Sequence, residues 1–224
     1  MPATPASNRA LIASDDFAQV PSFMTAWYAV CDYAGDMAKT LRARDAVKPL
    51  LRVRQTRQFT SDQVTADELG AIADAARWSG SSQNKQPWRF ITIRDAGTLR
   101  AIAEAGQPNT RAMTTATAAI AIVLPEQAQS KIGQAYDEGR AAERILVAAE
   151  LLGLSAGIAW VNADARAAVA GIFRLPADRF VRTIVAIGHA SSEGRRPKTP
   201  HGEARLPRSE TVYSERWQED RSRD

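Results

Sequence analysis

The segment AAIAIVL (118–124) is apolar at every position and ends at Pro125. A transmembrane helix needs about 20 consecutive apolar residues, so this run is far too short to span a bilayer and reads as a buried strand. A buried strand must be covered by other elements, and the remaining sequence supplies them. Thr65 followed by Glu68 forms a capping box, in which each side chain satisfies a backbone donor at a helix start. Leu69, Ile72, Ala73 and Ala76 then share one helical face before Gly80. WRFITI (88–93) reads as a strand ended by Arg94-Asp95, and Thr98 to Ala105 as a short helix stopped by Gly106. A long helix is expected from Lys131 to Leu152, closed by Gly153. Gly139 inside it costs roughly 1 kcal/mol against alanine, for which close packing on another backbone is one reason. A helix over Ala165–Phe173 and the strand FVRTIVAIG (180–188) complete the pattern. Strands separated by helices indicate an α+β domain.

Two segments stand outside this alternation. Residues 1–50 read as an N-terminal extension of uncertain structure, with 51–224 as the main domain and its C-terminal arm. The arm, HASSEGRRPKTPHGEARLPRSETVYSERW, is polar and interrupted by proline and glycine, so it is expected to run extended with basic beads.

At 224 residues, 45% hydrophobic and 24% charged, the chain can bury a full core without disulfides or metals. Its net charge of +4 is a small excess of 29 basic over 25 acidic residues. The single cysteine, Cys31, allows no internal disulfide and favours a reducing compartment. The first residues lack an apolar stretch behind a basic start, which is not the pattern of a secretory signal. The expectation is a cytoplasmic protein.

Three segments carry candidate chemistry. RVRQTRQF (52–59) sets Arg52, Arg54 and Arg57 around Gln55 and Thr56, which suits a phosphate dianion and a polyol, although a basic cluster taken alone is more commonly a solvated edge. SGSSQNKQPWRF (79–90) concentrates neutral side chains between the first helix and the first strand. Asn and Gln each carry a donor and an acceptor and so can meet a pyrimidine-like edge, while the same residues also serve local turns. The arm holds Arg195, Arg196, Lys198, Arg205 and Arg208, but no interleaved aromatic platform, so nucleic-acid binding is weakly supported.

Other classes lack their signatures. There is no G-x-G-x-x-G, P-loop or G-x-S-x-G pattern, and His189 and His201 have no metal-ligand spacing. Asp137, Glu138, Arg140, Glu143 and Arg144 in YDEGRAAER read as surface ion pairs of one helix.

In order along the chain, RQTRQFT, VTADELGAIADAARWSGSSQNKQPWRF, DEGRAAERILVAAELLGLSAGIAW and EARLPRSETVYSERW resemble the FMN-dependent nitroreductase family over about Val53 to Trp217. The resemblance implies a sandwich with a mainly antiparallel central sheet flanked by helices, working as an intertwined homodimer with FMN at each subunit interface. It implies that Arg54, Gln55 and Arg57 hold phosphate and ribityl, and that Ser81, Ser82, Asn84 and Gln86 form a loop laid along the cofactor by the partner subunit. By the same resemblance Asn109 matches an asparagine at the pyrimidine edge, the Ala159-Trp160 backbone matches the segment beside the ring, and Arg205 matches a phosphate-binding arginine. Val53 and Glu203 depart from the family pattern and imply rearranged phosphate contacts, with Arg52 or Lys198 as substitutes.

The implied activity is transfer of hydride from NADH or NADPH to FMN and of electrons onward to a small electron-poor acceptor, such as a nitroaromatic or quinone, by a ping-pong mechanism. The flavin carries the chemistry, so no catalytic side chain and no metal are expected. Reductive dehalogenation, flavin fragmentation and polyanion binding are the alternatives. If the pocket exists only in the dimer, the polar groups of the 81–86 loop should lack partners in a single chain.

Overall fold

The computed structural model describes residues 43–197, 199 and 205–217. The first 42 residues lie outside it, as do Cys31, Lys198, His201 and Glu203. The chain divides into two compact units at Arg52/Val53. In the first, the described residues form a single helical turn, α1 (Ala43–Ala46), and a 3-10 helix over Lys48–Arg52.

In the second unit, four described strands form one antiparallel sheet in the order β1-β2-β4-β3. These are β1 (Arg89–Ile93), β2 (Ala118–Pro125), β3 (Ser155–Trp160) and β4 (Arg179–Gly188). Helices α2 (Ala66–Arg77) and α4 (Lys131–Leu151) pack on one face, and α3 (Ala96–Ala105) and α5 (Arg166–Phe173) on the other. The arm includes two single-turn helices, α6 (Ser192–Arg195) and α7 (Arg208–Thr211), where the sequence predicted only an extended run. Ser191 accepts a hydrogen bond from the Gly194 N–H at 3.1 Å, which is enough to start one turn.

Coverage on both faces explains why β2 is apolar throughout. Successive side chains of a strand point to opposite faces. Ala118, Ile120, Ile122 and Leu124 join a core with Leu69 and Ile72 of α2 and Ile145 and Leu146 of α4. Ala119, Ala121 and Val123 join a second core with Leu99 and Ile102 of α3 and Val169 of α5.

The register of β2 with β4 breaks once. Ile122 faces Thr183, whereas Val123 faces Val181, which leaves Arg182 as the extra residue of a bulge. Before the bulge Phe180 belongs to the α4-side core, and after it that side takes Val185 and Ile187. The bulge thus restores the alternation that an inserted arginine would otherwise invert.

Helix ends match their sequence signals. Thr65 caps α2 by accepting from the Glu68 N–H at 3.1 Å, and the Glu68 carboxylate accepts from the Thr65 N–H at 2.8 Å. These backbone and side-chain bonds from Thr65 hold the Glu68 carboxyl below its ordinary value of 4.5. The helix predicted from Thr98 begins at Ala96, because Asp95, read as the end of the strand, instead caps α3. Gly153, at φ +73°, closes α4. The sequence reading missed β3 altogether, for a reason that lies in the site.

A candidate flavin site at the open edge of the sheet

Strand β3 lies at an edge of the sheet, and the basic segment docks against its first half. The Thr56 N–H donates to the Ala156 carbonyl at 2.8 Å, and the Ile158 N–H donates to the Gln55 side chain at 3.2 Å. This approach requires a glycine opposite: a Cβ on Gly157 would lie 2.0 Å from the Thr56 carbonyl oxygen. The first half of SAGIAW, Ser155-Ala156-Gly157, is therefore built of small residues for close contact rather than of the β-branched residues that usually mark a strand. Phe59 pairs further on with Ala190, and its N–H donates to the Thr115 hydroxyl at 3.2 Å.

The docking places Arg54 and Arg57 along this edge, Arg54 exposed and Arg57 half-buried. Neither forms an ion pair among the described residues. Among the described residues, the second half of the edge is left open. Because Ile158 points its N–H outward and Val161 donates inward to the Arg182 carbonyl at 2.7 Å, Trp160 presents its N–H outward as well. Ala159 is buried beneath it. Asn109 arrives at the same end, donating from its amide to the Asn162 side chain at 3.1 Å. Asn162 was not singled out from the sequence.

The 79–86 loop is fixed largely by α4. Both oxygens of the Asp137 carboxylate accept from the Ser82 N–H, at 3.2 and 3.1 Å. Arg144 donates to the Trp78 carbonyl at 3.1 Å, and the Arg140 guanidinium occupies the space a Cβ on Gly80 would need. Within the loop the Ser81 hydroxyl accepts from the Gln86 N–H at 2.9 Å, and the Gln86 amide donates to the Asn84 side chain at 3.0 Å. The expectation that these groups lack partners in a single chain is therefore corrected, since loop and helix satisfy several of them. Gln83, Asn84 and Gln86 all have positive φ, between 46° and 53°, a region costly for non-glycine residues. The loop remains exposed from Ser82 to Gln86, while Trp88 behind it is buried at 3%.

The surface-pair reading of YDEGRAAER is corrected too. Asp137 and Glu138 are 5% and 3% exposed. Glu138 reaches across to β4, where its Oε2 accepts from Arg182 Nε at 2.8 Å and from a second guanidinium nitrogen. Its Oε1 has no hydrogen-bond partner among the described residues. Successive helix positions point about 100° apart, so one carboxylate meets the loop and the other the bulge. The available signal was Arg182 itself, a charge inside an apolar strand. Gly139 is exposed, and among the described residues nothing lies within 4 Å of its Cβ position, so they do not supply the close packing suggested for it.

Arg205 is exposed ahead of α7. A separate cleft of 330 Å³ runs along α3, lined by Leu99, Arg100, Ala103, Glu104 and Met113, and includes none of the predicted site residues. Among the described residues no cluster of His, Cys, Asp or Glu could hold a metal ion, and no helix is long and apolar enough to cross a membrane.

The donor set fits a phosphate-bearing flavin: the Arg54 and Arg57 guanidinium forks, without carboxylate partners among the described residues, an outward N–H on the strand edge, and exposed amides. Comparison with known proteins identifies the fold and the family. An Archaeoglobus fulgidus protein, assigned provisionally as an NADH dehydrogenase/NAD(P)H nitroreductase, is 29% identical over 159 residues, 66% of this chain and 87% of that one. The structure of an FMN-dependent nitroreductase from Clostridium difficile superposes with a TM-score of 0.65 at 21% identity, covering 75% of this chain and 98% of that one. Nitroreductase A from Vibrio parahaemolyticus gives 0.63 at 21% identity, covering 77% of each chain. The model of the nitroreductase family matches residues 52–189, and the chain belongs to that family.

Proposed function

We propose that the protein is an FMN-dependent NAD(P)H oxidoreductase that works as a homodimer. The observation that carries this reading is the sheet edge, where Gln55 and Thr56 clip Arg54 and Arg57 to β3 and Trp160 offers an outward N–H. When bound there, FMN would accept hydride from NADH or NADPH and pass electrons to an electron-poor acceptor such as a nitroaromatic or quinone, one substrate leaving before the other enters.

The chain's own part is to bind and orient. Arg54, Arg57 and Arg205 would hold the phosphate, and Gln55 has the amide group to meet the polyol. The Trp160 N–H and Asn109 would address the ring's polar edge. Ser81, Ser82, Asn84 and Gln86 would present a neutral rim, so that no fixed charge opposes electrons arriving at the ring.

A second copy is supported by α4. Its outer side exposes Ile132 at 85%, Tyr136 at 71% and Leu151 at 66%, with Gly139 between them leaving room for close approach. Purified protein should show a flavin absorption spectrum that NADH or NADPH bleaches without oxygen, and initial rates should give parallel double-reciprocal lines. Arg57→Ala and Arg205→Ala should lower flavin retention, and Asn84→Ala should shift the flavin's potential or turnover. A colourless protein that takes up no added FMN refutes the proposal.

A further inference from the structure

Trp160 contributes more than its backbone. The residue is 48% exposed at the open end of β3, yet its ring is braced from behind. The Arg182 guanidinium lies 5.4 Å from the centre of its ring and 5.8 Å from that of Phe180. Arg182 is itself held by Glu138, with side-chain exposures of 15% and 4%. A buried ion pair is a poor source of stability, because desolvation offsets most of the attraction. Here one carboxylate oxygen also lacks a partner among the described residues, and the strand departs from regular pairing to deliver the arginine. What the bulge and the ion pair do achieve is a fixed cation against one part of an otherwise exposed aromatic surface.

We propose that Trp160 is a specificity-determining residue, a braced aromatic platform that selects planar, electron-poor ring acceptors, with Arg182 and Glu138 as its positioning residues. The proposal rests on the flavin reading of the same edge. An exposed indole offers a large flat face at little conformational cost once its rotamer is locked. Offset stacking of aromatic rings contributes enough for about a threefold to tenfold change in affinity. An acceptor without a planar ring gains nothing from it.

The test uses the FMN-loaded protein without NAD(P)H. Titration calorimetry measures the Kd of a naphthoquinone and of a nitrobenzene series carrying one to three nitro groups. In the wild type, affinity should rise along the series. Trp160→Leu should raise the naphthoquinone Kd about threefold to tenfold, and Trp160→Phe should recover most of the loss. In separate turnover assays with NADH or NADPH supplied, the ratio of kcat/KM for naphthoquinone to that for ferricyanide should fall by the same factor. Arg182→Met should move that ratio in the same direction by freeing the indole. Unchanged Kd in Trp160→Leu with FMN content retained overturns the platform, as does a flat nitrobenzene series, which needs no variant. Failure of the wild type to bind FMN overturns the flavin reading instead.

Discussion

Replacing Gly157 by alanine tests whether the basic segment is held to the sheet by close backbone contact. The added Cβ would sit 2.0 Å from the Thr56 carbonyl oxygen, 3.1 Å from its carbon and 3.4 Å from the Thr56 nitrogen. All three are backbone atoms, so no rotamer change relieves the contact. Separation to an ordinary van der Waals distance moves the segment by more than an ångström and breaks the Thr56 to Ala156 bond of 2.8 Å and the Ile158 to Gln55 bond of 3.2 Å. Each bond contributes about 0.5–1.5 kcal/mol, and overpacking adds about 1–3 kcal/mol. Allowing for partial relaxation, the expected loss is roughly 2–4 kcal/mol, which for a chain of this size lowers Tm by roughly 5–15 °C. Because Arg54 and Arg57 move with the segment, FMN Kd should rise by at least about tenfold, the worth of one charge-assisted hydrogen bond. Urea unfolding and flavin fluorescence titration read the two effects. Gly171→Ala is the control: on α5, with nothing within 4 Å of its Cβ position, it should stabilise by up to about 1 kcal/mol. A Gly157→Ala protein with wild-type Tm and FMN affinity would refute the account of the docked edge.

The remaining expectations follow from single contacts. Thr65→Ala removes the α2 cap and should cost about 0.5–2 kcal/mol in urea unfolding. The Glu68 carboxyl is lowered by its bonds from Thr65, so its stabilising effect is present above pH 4.5 and is lost as pH falls through the folded value. Thr65→Ala should therefore also flatten the acid limb of the stability profile; an unchanged limb would contradict the capping box as its source. Asp137→Ala strips the Ser82 N–H of its acceptor, so stability should fall by about 1–3 kcal/mol and protease should cut within 79–86 faster. Gly139→Ala should favour the isolated helix by about 1 kcal/mol, yet weaken dimerisation in sedimentation analysis if a second copy packs there. A more stable protein with unaltered self-association would remove α4 from the interface.

How much of this was legible in the sequence depends on where the determining contact lies. Thr65 and Glu68, the unbroken apolar run of β2 and Gly153 act on neighbours or on a whole buried strand, and each marks its element correctly. Strand β3 escaped because its small residues answer to Thr56, about a hundred positions away, and strand propensity carries no trace of such a partner. Asp137 and Glu138 escaped for the same reason: a helical pattern of mixed charge looks solvated until Ser82 and Arg182 are brought to it. The site motifs were legible as residue types, and the edge that gathers Arg54, Gln55, Arg57, Asn109, Ala159 and Trp160 was not.

That edge also resolves a tension in the fold. An open strand edge invites pairing with other chains, and proteins usually cover or charge it. Here the first half of β3 is covered by Gln55 and Thr56, with two arginines on the covering segment. The second half keeps its outward N–H at Trp160, guarded by a bulky indole and the cation behind it. The bulge that delivers Arg182 also twists the neighbouring strand, a further protection against added strands. The same features that discourage strand addition therefore leave a donor, a flat aromatic face and positive charge around one gap, a combination that suits the planar anionic cofactor proposed for it.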